Sequence, residues 1–195
     1  MPADATAARE ALISAAIALI NEYNGNTQAI TSRLIARRAN VGLGLINYHF
    51  GSKDGLILEC VQRIIQGVIA SFDVQKPYAS DQERLTAWAQ HVFAFLFANP
   101  AISRISILGD FAAYTEGCNT MRTQRSFLRA LAADVPAQDG PLLVFVLTSA
   151  MQAAFLGASA AGPALGYNFS QPAQRDAFIQ KTVALLFSGG GKEKR

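Results

Sequence analysis

The sequence predicts an all-α protein, with a small helical head at its N-terminus and a larger helical body behind it. Three observations carry this reading. Apolar residues recur with helical spacing through successive segments rich in Ala, Leu, Ile and Gln. Nowhere do they alternate in strand fashion for long. The segments are separated by helix-stopping pairs at Asn24-Gly25, Asn99-Pro100, Val135-Pro136 and Gly162-Pro163.

Taken in order, a first helix is expected over roughly Ala5 to Tyr23, with Leu12, Ala15, Ala16, Leu19 and Ile20 as its buried stripe. Asn24-Gly25-Asn26 stops it, because Asn and Gly tolerate left-handed backbone. A short second helix follows Thr31 or Ser32, either of which can cap free amides. A third occupies about Leu43 to Phe50. A fourth starts at Ser52 as N-cap, with Asp54 in its first turn where the helix dipole favours a carboxylate, and runs towards Phe72. Beyond Lys76-Pro77-Tyr78, helices are expected over Asp81–Ala98, Ala101–Leu108, Asp110–Ala133, Pro141–Ala161 and Pro172–Phe187. The texture changes near Ser52, which divides the chain into a head (1–52), a body (53–188) and a Gly-rich tail (189–195) expected to be disordered.

Composition narrows the function without fixing it. At 195 residues the chain can bury a sizeable core, and 51% hydrophobic against 16% charged residues leaves apolar surface for a second buried interface. Net charge is +3, and Met1 to Arg63 holds six Lys/Arg against five Asp/Glu, so electrostatics alone does not identify a nucleic-acid partner. Cys60 and Cys118 lack metal-ligand spacing and are too few for a disulfide framework. No paired carboxylates, Cys/His pair or Gly-rich phosphate loop stands out, and only His49 and His91 are present. An enzyme, a metal site and a cofactor are therefore not expected. The N-terminus lacks the basic start and apolar run of a signal peptide, so a cytoplasmic location is expected.

The informative stretch is Ile30 to Leu56. Two short apolar-periodic segments meet at Ala39-Asn40-Val41-Gly42, the outline of a helix-turn-helix. A recognition helix must bury one face on its neighbour and offer the other to the major groove. Ile46 and Phe50 share one face, with Val41 entering from the turn. Asn47 and Tyr48 leave from the other, with Leu43 and Gly44 one turn earlier. Ala36 and Ala39 are small where two helices must approach, and Asn40 sits where the turn wants a left-handed residue. Arg33 and Lys53 flank the motif and could reach phosphate or base edges.

Thr31, Ile35-Ala36, Ala39, Val41, Gly44, Ile46, Tyr48-His49-Phe50, Lys53 and Leu56 together make the segment resemble the DNA-binding domain of the tetracycline-repressor (TetR) family of bacterial regulators. The resemblance implies that Ser32 and Arg33, with Thr31 beside them, touch phosphate or base from the second helix. It places Leu43, Gly44, Asn47 and Tyr48 on third-helix contact positions, and His49 and Lys53 against the DNA backbone. Three departures set this head apart: Asn40 for the usual turn Gly, Gly42 where a capping Ser is common, and Asn47 at a place usually aromatic. Arg33 and Asn47 are left as the best bidentate base readers.

The resemblance also implies a body that binds an effector and dimerises, so that a palindromic double-stranded operator is read by two heads and released by a small apolar or amphipathic molecule. Leu85, Trp88, Val92 and Phe95 form a stripe flanked by His91, while Phe111, Tyr114, Met121 and Phe127 add apolar bulk beside Arg122. Trp88, His91, Phe95, Phe111, Tyr114 and Arg122 are thus candidate effector-lining residues, with an ordinary aromatic core as the competing reading. The uncharged run Pro141 to Ala161 is long enough to span a bilayer. Its Thr148, Ser149, Gln152 and Ser159 and its lack of basic or aromatic flanks favour a soluble helix buried on several sides, so no membrane partner is expected. Paired with Pro172–Phe187 it is expected to form the dimer interface, through Gln152, Phe155, Phe178, Val183 and Leu186. A regulator that acts without a small-molecule effector fits the same residues.

Overall fold

The computed structural model describes residues 2–73, 76–131 and 138–189. Every regular element among them is an α-helix: α1 (Pro2–Glu22), α2 (Ser32–Ala39), α3 (Gly44–Phe50), α4 (Lys53–Ser71), α5 (Asp81–Ala98), α6 (Pro100–Ala112), α7 (Asn119–Arg129), α8 (Gly140–Leu156), α9 (Ala158–Leu165) and α10 (Pro172–Gly189). The chain separates into two compact units, Met1–Gly67 with Asn99–Gly109, and Val68–Ala98 with Asp110–Arg195.

The first unit is built on α1. Its expected stripe is in place: Leu12, Ala16, Leu19 and Ile20 are at most 1% exposed, and Ile35 of α2, Ile46 of α3 and Leu56 of α4 are fully buried with them. The α1–α2 connection turns through two left-handed residues, Asn24 (φ 49°) and Gly25 (φ 79°). Gly25 is required twice over there, since a Cβ would also lie 3.1 Å from the Ala101 carbonyl oxygen. Two ion pairs tie the surface of α1 to α4: Arg9 pairs with Glu59, and Arg63 with Glu10 at 2.5 Å.

The second unit is an aromatic-rich bundle in which α5 packs on α10, α7 and α8. Phe93 of α5 meets Phe178 of α10 at 5.5 Å and Phe169 at 5.8 Å, while Phe97 meets Phe155 of α8 edge-on at 5.3 Å. Such offset and edge-to-face pairs add to the burial of the rings themselves.

Three boundaries differ from the sequence reading. The helix expected over Asp110–Ala133 is two helices, with a break from Ala113 to Cys118. Asp110, on the last turn of α6 where the dipole disfavours a carboxylate, turns its charge to account at the next helix start. Its Oδ2 accepts from the Thr120 amide (2.6 Å) and hydroxyl (2.7 Å), and Gln152 of α8 donates to the same hydroxyl at 2.8 Å. The run Pro141–Ala161 bends by 113° at Gly157, so among the described residues no single helix is long and apolar enough to cross a membrane. The expected stop at Gly162-Pro163 comes later. Pro163 sits inside the short α9, which ends at left-handed Gly166 (φ 78°). The Val135-Pro136 break and residues 190–195 of the tail lie outside the described residues, and Gly189 is the last residue of α10.

Candidate nucleic-acid interface

The head positions its candidate contacts through three local devices. Thr31, in extended backbone (ψ 153°), caps α2 by accepting the Leu34 amide at 3.1 Å. Asn40 ends α2 in the left-handed region (φ 54°, ψ 44°), and the Val41 amide reaches back to the Ala36 carbonyl at 3.0 Å. The sequence reading of Asn40 as the turn residue matches this geometry. Ser52 caps α4 by accepting the Gly55 amide at 2.9 Å, which turns the chain sharply out of α3 through Gly51 (φ 73°).

The result is a two-faced α3. Ile46 is fully buried and Phe50 half-buried, whereas Leu43, Gly44, Asn47 and Tyr48 are exposed, Tyr48 most of all at 77%. Thr31 and Arg33 are exposed one helix away, with Ser32 half-buried between them. His49 is half-buried: its ring meets Tyr48 edge-on at 4.8 Å, and its Nε2 is enclosed without a hydrogen-bond partner. Lys53 folds inward, its Nζ donating to the Thr27 carbonyl at 2.7 Å. Sequence reasoning missed this bond because the two residues lie 26 apart and nothing in their types announces it.

The candidates in the body are placed less uniformly. Trp88 is fully buried and lines no open surface. It stacks on Phe72 at 4.3 Å and donates from Nε1 to the Ser126 hydroxyl at 3.1 Å. His91, Phe111 and Tyr114 are exposed, His91 being held by Ser71 Oγ at 3.1 Å, while Phe95 and Arg122 are half-buried. The open clefts that the described residues form include one of about 530 Å³ beside Arg9, Leu58 and Gln62 and another of about 640 Å³ beside Tyr78, Glu83 and Gln180. None of the six candidates borders either.

The residues assigned to a dimer interface need correcting. Gln152, Phe155, Phe178 and Val183 are at most 7% exposed, so they pack inside the single chain, and Leu186 is half-buried. The uncharged run carries no inside-outside signal because both faces of α8 are apolar. The face left exposed carries Leu142, Phe145 and Val146 on α8 and Leu185 on α10.

Cys60 is fully buried with its thiol on the Ile13 carbonyl, and burial, aided by the Glu59 charge, pushes its pKa up to about 12. A thiol so placed is inert at neutral pH. Among the described residues, no group of three or more His, Cys, Asp or Glu gathers to hold a metal ion.

These features agree with known proteins. The family model described as bacterial regulatory proteins, tetR family, matches residues 12–60. The HTH-type transcriptional dual regulator CecR of Shigella flexneri is 40% identical over 83 residues, 43% of this chain but 34% of its own length. The chain therefore matches about a third of that relative. The fold resembles SCO7222, a TetR transcriptional regulator from Streptomyces coelicolor, with a TM-score of 0.68 at 18% identity, covering 93% of this chain and 96% of that one. A TetR transcriptional regulator from Rhodococcus sp. RHA1 gives 0.59 at 19%, covering 94% and 96%. With the motif and the turn geometry in agreement, residues 12–60 match the tetR family of bacterial regulatory proteins, and the chain has the fold of solved TetR regulators.

Proposed function

We propose that this protein is a sequence-specific DNA-binding transcriptional regulator, a homodimer that reads a palindromic operator and is released from it by a small apolar or amphipathic molecule. The observation that carries the reading is the two-faced α3, with Ile46 inside and Leu43, Gly44, Asn47 and Tyr48 outside on a corner fixed by Asn40 and Ser52. Thr31, Ser32 and Arg33 approach from α2. His49, half-buried on α3, meets the DNA backbone. DNA reading belongs to residues 1–52, effector binding and dimerisation to 53–188, and the protein works in the cytoplasm.

Arg33 and Asn47 are the side chains able to make bidentate base contacts. Arg33→Ala and Asn47→Ala are expected to cost about 1–3 kcal/mol each on the preferred operator and to change the ranking of operator variants. Fluorescence anisotropy against single-base-pair variants reads this directly. An unchanged ranking would refute the assignment.

A single seven-residue α3 reads only a few base pairs, too few to select a genomic site. Two heads on a two-fold axis read a palindrome whose spacing follows their separation. An effector shifts occupancy only by its differential affinity for bound and released states. Support for the pairing surface comes from Leu142, Phe145, Val146 and Leu185, apolar side chains left 39–66% exposed on α8 and α10. Phe145→Asp with Leu185→Asp is expected to give a folded monomer of 20.9 kDa by sedimentation. A species of twice that mass would show that pairing occurs elsewhere.

A further inference from the structure

The resemblance implies that Lys53 meets the DNA backbone. We propose instead, resting on the DNA-reading role above, that Lys53 is a positioning residue, whose ammonium holds the Thr27 carbonyl and so fixes the segment that delivers Thr31, Ser32 and Arg33 to the operator.

Lys53 is the first residue of α4, at the positive end of the helix dipole, where an ammonium is disfavoured. A solvated lysine would swing away. This one is 23% exposed, with Nζ at 2.7 Å from Thr27 O and 3.6 Å from Asp54 Oδ1. Ordering so long a side chain costs rotamer entropy, and a charge-assisted bond to a carbonyl offsets it.

Thr27 lies in the irregular connection between α1 and α2, which has no helix of its own to hold it. That connection is pinned at three points in one compact unit: Gly25 closes on Ala101, Lys53 takes Thr27 O, and Ile30 is fully buried. Thr31, the cap of α2, follows one short span after Thr27. A shift of the carbonyl therefore passes to the helix start that carries Ser32 and Arg33.

The charges of the head support the same division of labour. Arg9 and Arg63 are tied to Glu59 and Glu10, and Arg38 to Glu22 at 2.6 Å, a bond that lowers the Glu22 pKa and raises that of Arg38. With Lys53 on Thr27, the two cations between Met1 and Arg63 without an internal ion pair or hydrogen bond among the described residues are the exposed Arg33 and Arg37. Arg37 lies one helical turn beyond Arg33 on the same side of α2.

The test compares wild type, Lys53→Met and Lys53→Arg in two measurements. In the free protein, amide hydrogen exchange over residues 26–30 is expected to accelerate roughly tenfold in Lys53→Met and to stay near wild type in Lys53→Arg, which keeps a donor. On a mixed-sequence duplex, log affinity against log salt is expected to keep its slope in Lys53→Met. A lost phosphate contact would instead reduce the slope by about 0.9 per head. Unchanged exchange, or a slope reduced by that amount, each overturns the proposal. The exchange measurement needs no DNA, so its outcome is independent of whether the protein is a DNA reader.

Discussion

Gly55→Ala is expected to weaken specific DNA binding at least tenfold while leaving most helical content intact. Gly55 lies in the first turn of α4, and a Cβ there would overlap the carbonyl oxygen of Phe50, the last residue of α3. That oxygen is backbone and cannot swing aside, so the α3–α4 corner must open. The cost is about 3 kcal/mol of stability, as for other forced overpacking. Tilting α3 also moves Leu43, Gly44, Asn47 and Tyr48 together, and operator affinity should fall tenfold or more, about 1.4 kcal/mol. Gly67→Ala is the control. It lies in the same helix with nothing within 4 Å of its would-be Cβ, so replacing it should stabilise α4 by about 0.8–1 kcal/mol. Thermal melts and anisotropy on both variants separate close approach from helix propensity. Equal behaviour of the two would mean that the corner is slack.

The second large effect is in the body. Trp88→Ala removes a fully buried ring stacked on Phe72 and set edge-on to Phe127 at 5.9 Å, and should cost about 3–5 kcal/mol. Trp88→Phe keeps the stack but orphans the Ser126 hydroxyl, and should cost about 1–3 kcal/mol. Urea titrations followed by circular dichroism measure both, since the mutations remove the single tryptophan of the chain. A near-neutral Trp88→Ala would revive this residue as a wall for ligand rather than a member of the core.

Much of the head could be read in the sequence because its signals are local. Thr31 and Ser52 are capping residues at the right distance from apolar runs, Asn40 is one of few residues content in left-handed backbone, and the Ile46/Asn47 contrast marks the two faces of a helix only two turns long. The body resists because its decisive interactions are distant or reciprocal. Asp110 caps a helix that begins nine residues later, so the sequence reads as one long helix where two exist. The apolar α8 carries no pattern to tell Val144 and Phe155, which are buried, from Leu142 and Phe145, which are exposed, so periodicity assigns inward-facing residues to the pairing surface. Aromatic content likewise announces a cluster around Trp88 without saying whether it is filled or hollow.

The central claim is that the outer face of α3, with the start of α2, reads a two-fold symmetric DNA sequence. Selection from a pool of randomised duplexes by the intact protein tests it most directly. The account predicts enrichment of an inverted repeat, with Asn47→Ala and Arg33→Ala each relaxing preference at symmetric positions in both half-sites. Binding that stays indifferent to sequence and merely weakens with salt would contradict it.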